Sequence, residues 1–152
     1  MQIEIDPASD VPIYQQLRDR VVEGIANGEL GAGDALASVR QLAVEFGINV
    51  ATVGKGYDML RQEGLVRTNR RSGSVVARGP HDGAPENMDV YLHEGGPWYG
   101  RLRTLLAEAV AQGVPDHRIT ASVASILSAF AASRSAQPNP AARSAARPKE
   151  DR

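Results

Sequence analysis

The chain has 152 residues, 42% of them hydrophobic, with 17 Lys and Arg against 18 Asp and Glu and a formal net charge of −1. That length suits one domain, or a compact domain with a small appendage, and the near-neutral balance excludes a protein that coats nucleic acid indiscriminately. There is no cysteine for a disulfide framework or a thiolate metal site, no apolar run of membrane-spanning length, and no basic-then-apolar layout of a signal peptide at the acidic N-terminus, which fits a cytoplasmic protein.

Residues 2–5 alternate polar and apolar and suit a short strand. Asp6-Pro7-Ala8-Ser9-Asp10 reads as a turn, with Asp10 placed to cap a helix whose first turn tolerates Pro12. Tyr14, Leu17, Val21 and Ile25 mark one face of this helix 1; Gly28 and the Gly31-Ala32-Gly33-Asp34 run stop it. Ser38 begins helix 2, with Val39, Leu42, Ala43 and Phe46 on one stripe. Gly47 supplies a left-handed turn, and Asn49 caps helix 3, from which Val53, Tyr57 and Leu60 face inward until Gly64 closes it. Residues 65–68 and 74–77 read as short strands, with 69–73 as the tip between them.

A short helix, a Gly-containing turn, a second helix and a hairpin make a helix-turn-helix followed by a β wing. The second helix of such a unit enters a DNA major groove, and the tip lies along the backbone or the minor groove. Local charge agrees: Arg67, Arg70, Arg71 and Arg78 lie between positions 67 and 78 with no acid among them.

Residues 80–96 read as a linker holding an apolar Val90-Tyr91-Leu92 patch that suits a short extended segment. After Pro97, helix 4 carries Leu102, Leu105, Leu106 and Ala109 and ends near Gly113. Pro115 and Asp116 open helix 5, with Val123, Ile126, Leu127 and Phe130 on one face. From 133 onward the chain is Ala, Arg, Ser and Pro with almost no large apolar residue, which reads as a disordered tail. The expected fold is α+β: a winged helix-turn-helix domain at 1–79, a linker at 80–96, a helical dimerisation appendage at 97–132 and the tail at 133–152. Two amphipathic helices are too few to bury both apolar faces alone. Pairing Leu102, Leu105, Leu106, Val123, Ile126, Leu127 and Phe130 with the same residues of a second copy solves that problem; packing back on their own first domain is the other solution.

Contact with DNA needs cations against phosphates and side chains that reach base edges. Ser38 and Arg40 sit at the start of helix 2, where the guanidinium can fork onto a phosphate or a guanine, or pair with Glu45 or an aspartate. In helix 3, Asn49, Ala51, Thr52 and Lys55 lie away from the buried stripe. Asn49 caps whether or not it reads a base. Thr52 donates to a phosphate, touches a thymine methyl or bonds its own backbone, and Lys55 offers a point charge. Arg70, Arg71 and Gly73 form a basic tip suited to a minor groove, or an ordinary solvated hairpin. Trp98 and Tyr99 either line a pocket for a small-molecule effector or pack against the linker or a partner. His81, His93 and His117 are scattered without ligand spacing, so no metal is expected. No cofactor motif, nucleophile–base pair or paired-carboxylate setting appears, and no enzyme is read.

The chain resembles the GntR family of bacterial transcription regulators. The resemblance rests on Ile13-Tyr14-Gln15-Gln16-Leu17, Gly28-Glu29-Leu30 with Gly33, and Leu36-Ala37-Ser38-Val39-Arg40-Gln41-Leu42-Ala43. It continues through Gly47-Ile48-Asn49, Thr52-Val53, Lys55-Gly56-Tyr57, Leu60, Glu63-Gly64-Leu65-Val66 and Arg71-Ser72-Gly73-Ser74. The set covers about the first half of the chain. It implies that Arg40 contacts DNA. The short second part looks like the YtrA-type subfamily, whose small helical appendage serves dimerisation. Where the family commonly has Ser-Arg at the start of the recognition helix, this chain has Asn49 and Val50, and Gly54 and Gly56 are unusual in a helix interior. These features imply a dimeric repressor on double-stranded DNA with a palindromic operator. A winged-helix protein-interaction module that does not read DNA is the alternative. A truncated aminotransferase-like member is set aside, because no large α/β region follows the wing.

Overall fold

In a computed structural model, residues 4–69, 73–83, 89 and 92–137 are described. The elements are α1 (Ile13–Ala26), α2 (Val39–Phe46), α3 (Val50–Gln62), β1 (Val66–Asn69), β2 (Gly73–Val76), α4 (Pro97–Ala111) and α5 (Asp116–Ala136). The chain divides into one unit of Met1–Asp82 with Ser133–Arg152 and another of Gly83–Ala132.

In the first unit the four-residue spacing of Leu17, Val21 and Ile25 puts all three on one buried face of α1. The expected cap differs. Pro12 takes the N-cap position and no side chain caps the helix. Asp10 is too far upstream. Gln16 secures the approach instead: its amide accepts from the Asp6 N–H at 2.9 Å and donates to the Asp6 and Val11 carbonyls at 2.9 and 2.7 Å. Of the expected first strand, Gln2 and Ile3 lie outside the described residues, and Glu4 and Ile5 adopt no regular structure.

The helix-turn-helix forms as its sequence dictates. Ser38 and Gln41 make a reciprocal capping box on α2, with 3.2 and 2.9 Å contacts. Gly47 turns the chain at φ +63°, and the Asn49 side chain caps α3 by accepting from Ala51 N–H at 2.7 Å. Val53, Tyr57 and Leu60 of α3 join Leu17, Val21, Ile25, Leu30, Leu42, Ala43, Val66 and Val76 in one core. Fully burying such aliphatic side chains contributes about 1.5–3 kcal/mol each. α3 crosses α1 at Gly56, where an added Cβ would meet the Tyr14 carbonyl oxygen at 2.8 Å and Leu17 Cδ2 at 3.2 Å. At the far end of the same pair, Arg18 of α1 grips Glu63 with Nε and Nη2, at 3.0 and 2.8 Å to Oε2. Burial works against the Arg18 charge, but the Glu63 and Asp19 carboxylates outweigh it and hold its pKa above the ordinary value.

The wing is antiparallel, running from Val66 opposite Val76 to Asn69 opposite Gly73. Each strand is displaced by one residue from the expectation, towards the tip. The hairpin has a third participant that the sequence pattern did not suggest. Val76 N–H donates to the Asp34 carbonyl, Leu36 N–H to that of Ser74, and Gly33 N–H to that of Val76, each at 2.9 Å. Ala35 thereby pairs with Val75. The segment leading into α2 is tied to the wing, so both ends of the helix-turn-helix move with it.

In the second unit α4 starts with Pro97 at a position whose missing N–H costs nothing, and the chain leaves α4 at Gly113, φ +77°. Val90 and Tyr91 lie outside the described residues. Neither α4 nor α5 has a fully buried residue, and the two do not pack extensively on one another. α5 continues to Ala136, beyond the tail boundary expected at 133. Alanine is the best helix former and keeps the helix propagating through the small-residue segment. Within the first unit, Arg134 donates to the Ala26 carbonyl at 3.0 Å, capping the open end of α1. Residues 138–152 lie outside the described residues.

Candidate nucleic-acid interface

The outward face of α3 is set by its buried one. With Val53, Gly56, Tyr57 and Leu60 inward, a 3.6-residue period turns Ala51, Lys55, Asp58 and Gln62 to the opposite side, and all four are exposed. Thr52 is half-buried at the flank. Asn49 performs the capping role anticipated for it. Its carbonyl oxygen is therefore committed to the helix, which leaves the amide N–H groups as its outward chemistry.

Arg40 stands in the first turn of α2, exposed, and takes part in none of the ion pairs among the described residues; the alternative pairing with Glu45 does not form. Its base is held from below. The buried Tyr57 hydroxyl donates to the Ala37 carbonyl at 2.7 Å, fixing the chain one residue before the Ser38 cap. Ser38 uses its hydroxyl oxygen as an acceptor in the capping box and keeps the O–H proton for an outside acceptor.

Lys55 departs from the simple picture of a free point charge. Its ammonium sits over the Tyr14 ring, 3.7 Å from the centroid, which steers it along the α1 side of α3. At the wing, Gly73 takes φ +67°, the left-handed conformation expected of a tip glycine. Arg70 and Arg71 lie outside the described residues, between the paired Asn69 and Gly73.

Two features escaped the sequence reading. Arg61, in the last turn of α3, forms an ion pair with Asp58 and reaches Oγ1 of Thr68 on β1 at 3.4 Å, spanning recognition helix and wing. The i,i+3 spacing of Asp58 and Arg61 was the available signal. Val50 and Val44 are large apolar residues left 49% and 83% exposed on the two helices of the motif. Among the described residues no cluster of His, Asp and Glu could hold a metal ion, and no helix is long and apolar enough to cross a membrane.

The described residues thus place a capped helix-turn-helix, an arginine that joins none of their ion pairs, and a paired wing in one unit. The family described as "Bacterial regulatory proteins, gntR family" matches residues 13–76. The HTH-type transcriptional repressor YtrA of Bacillus subtilis (strain 168) is 34% identical over 114 residues, covering 75% of this chain and 77% of that one. The chain belongs to the GntR family. Among solved structures, this GntR chain resembles YtrA from Sulfolobus acidocaldarius, a GntR-family transcription factor, with 35% identity and a TM-score of 0.52 over 72% of this chain and 97% of that one. A transcriptional antiterminator from Listeria monocytogenes EGD-e shares the fold, with a TM-score of 0.68 at 22% identity over 83% of this chain and 90% of that one. GntR proteins are transcription regulators rather than enzymes, and the winged helix is their module for double-stranded DNA.

Proposed function

We propose that this GntR regulator is a homodimeric repressor that occupies a palindromic operator, with Arg40, the outward face of α3 and the wing arginines as its DNA contacts. The observation that carries the dimer is the second unit. Leu105, Ile126 and Leu127 are 63%, 54% and 62% exposed on helices that neither bury a residue nor pack extensively on each other. A second copy offers the same apolar residues and closes the face with two-fold symmetry, and a two-fold protein matches a two-fold operator. Leu102, Leu106 and Phe130, half-buried in the single chain, line the same helices. Repression is supported by similarity to YtrA of Bacillus subtilis, a transcriptional repressor. Blocking a promoter requires only occupancy, which Arg40, Asn49, Thr52, Lys55 and Gly73, together with the charges that Arg70 and Arg71 bring in sequence, supply through phosphate neutralisation and base contacts. The protein acts where its DNA is, in the cytoplasm.

Selecting bound duplexes from a random-sequence pool tests this reading. A dimer with one operator face enriches an inverted repeat. Recovery of no sequence above background would leave the winged helix as a protein-interaction module.

A further inference from the structure

The N-terminal turn of α3 has a chemistry of its own. Asn49 spends its side-chain oxygen on the cap, and no Lys or Arg lies between positions 41 and 54. Beside the Asn49 amide N–H groups and the half-buried Thr52, what this turn presents to the outside is aliphatic: Val50, 49% exposed at the first helical position, and the methyl of the exposed Ala51. Folding gains little from an exposed valine there, because β-branched residues are mediocre helix formers and Val50 takes no part in the core.

On the reading that this surface binds DNA, the first turn of a recognition helix meets base edges in the major groove. Guanine offers only acceptors there, and this turn has no cation to fork onto them. The one apolar group any base displays in that groove is the thymine C5 methyl. We propose that Val50, seconded by Ala51, is a specificity-determining contact that reads thymine methyl groups, so that each half-site carries an A·T pair opposite the start of α3. Val50 excludes water from the methyl, and cytosine or uracil at that place leaves the valine facing a void.

The test uses the full chain and duplexes selected by it from a random pool. Each thymine is replaced in turn by deoxyuridine, which removes the methyl and leaves base pairing intact. Binding should weaken about three- to tenfold at one or two positions in each half-site, the scale of one buried methyl, and little elsewhere. Val50→Ala, on an exposed site that any helix former occupies, should bind thymine and deoxyuridine duplexes equally at those positions. A flat deoxyuridine scan with strong selected binding overturns the thymine reading while leaving DNA recognition intact. So does a Val50→Ala variant that keeps the full sensitivity. Failure to select any duplex overturns both.

Discussion

The Tyr57 hydroxyl donates across 2.7 Å to the carbonyl of Ala37, joining the buried side of the recognition helix to the residue that precedes the cap of α2. This bond sets where Arg40 stands relative to α3. Burial pushes the phenol up to about 12 from an ordinary value of 10.0. The sign follows directly. Below about pH 10 the folded and unfolded chains both hold the proton and the contribution is intact. As pH climbs towards 12 the unfolded chain releases its proton first, so stability falls, by roughly 2–3 kcal/mol across that interval. Tyr57→Phe should cost about 1 kcal/mol at neutral pH, because the Ala37 carbonyl loses its donor. It should also lose stability less steeply than the wild type between pH 10 and 12. Urea unfolding at a series of pH values reads both effects, and parallel slopes for the two proteins would mean that Tyr57 titrates like an exposed tyrosine.

Two glycines two positions apart in α3 should respond in opposite directions. A methyl at Gly56 would strike the Tyr14 carbonyl, whereas one at Gly54 meets nothing within 4 Å. Gly56→Ala should destabilise by about 1–3 kcal/mol as α1 is forced off α3. Gly54→Ala should stabilise by about 0.5–1 kcal/mol through helix propensity and a less flexible unfolded chain. Thermal and urea unfolding of the two variants decide it. Similar shifts in one direction would remove the close helix crossing as the reason for Gly56.

Much of this was legible because local rules and tertiary demands agree. Ser38 and Asn49 are capping residues with the right neighbours, Gly47 and Gly64 sit where a left-handed turn is needed, and the periodicity of Val53, Tyr57 and Leu60 names the buried face. What stayed hidden depends on contacts distant in sequence. The pairing of Ala35 with Val75 carries no side-chain signature, since it is made by backbone groups alone. Gln16 displaced Asp10 at the start of α1 because a longer amide can satisfy three backbone groups at once. The spacing of Lys55 gives a point charge for DNA but no sign of the Tyr14 ring, because that ring stands on another helix. The end of α5 was placed early because an Ala- and Ser-rich composition describes a weakly apolar segment without saying whether it is helical.

The exposed apolar residues of α4 and α5 make a prediction about assembly. Leu105→Glu and Ile126→Glu each put a charge on a face proposed to be covered by a second copy. Burying an unpaired carboxylate costs several kcal/mol, more than a small helical interface can offset. Sedimentation at micromolar concentration should find the wild type dimeric and the double variant monomeric, with the first unit still folded. A monomeric wild type would show that the face is not a dimer interface.

The most direct measurement is the affinity of the wild type, Arg40→Ala and Arg70→Ala/Arg71→Ala for a selected operator and for scrambled DNA, each at several salt concentrations. Losing Arg40 should cost about 1–3 kcal/mol on the operator and relax preference at one base pair, as expected for a guanidinium forked onto a base edge. Losing the two wing arginines should weaken operator and scrambled DNA alike and lower the salt slope by about two per subunit, one for each phosphate no longer neutralised. Wild-type affinity and salt slope in both variants would contradict the assignment, and the surface carrying Arg40 and the wing would then face a protein rather than DNA.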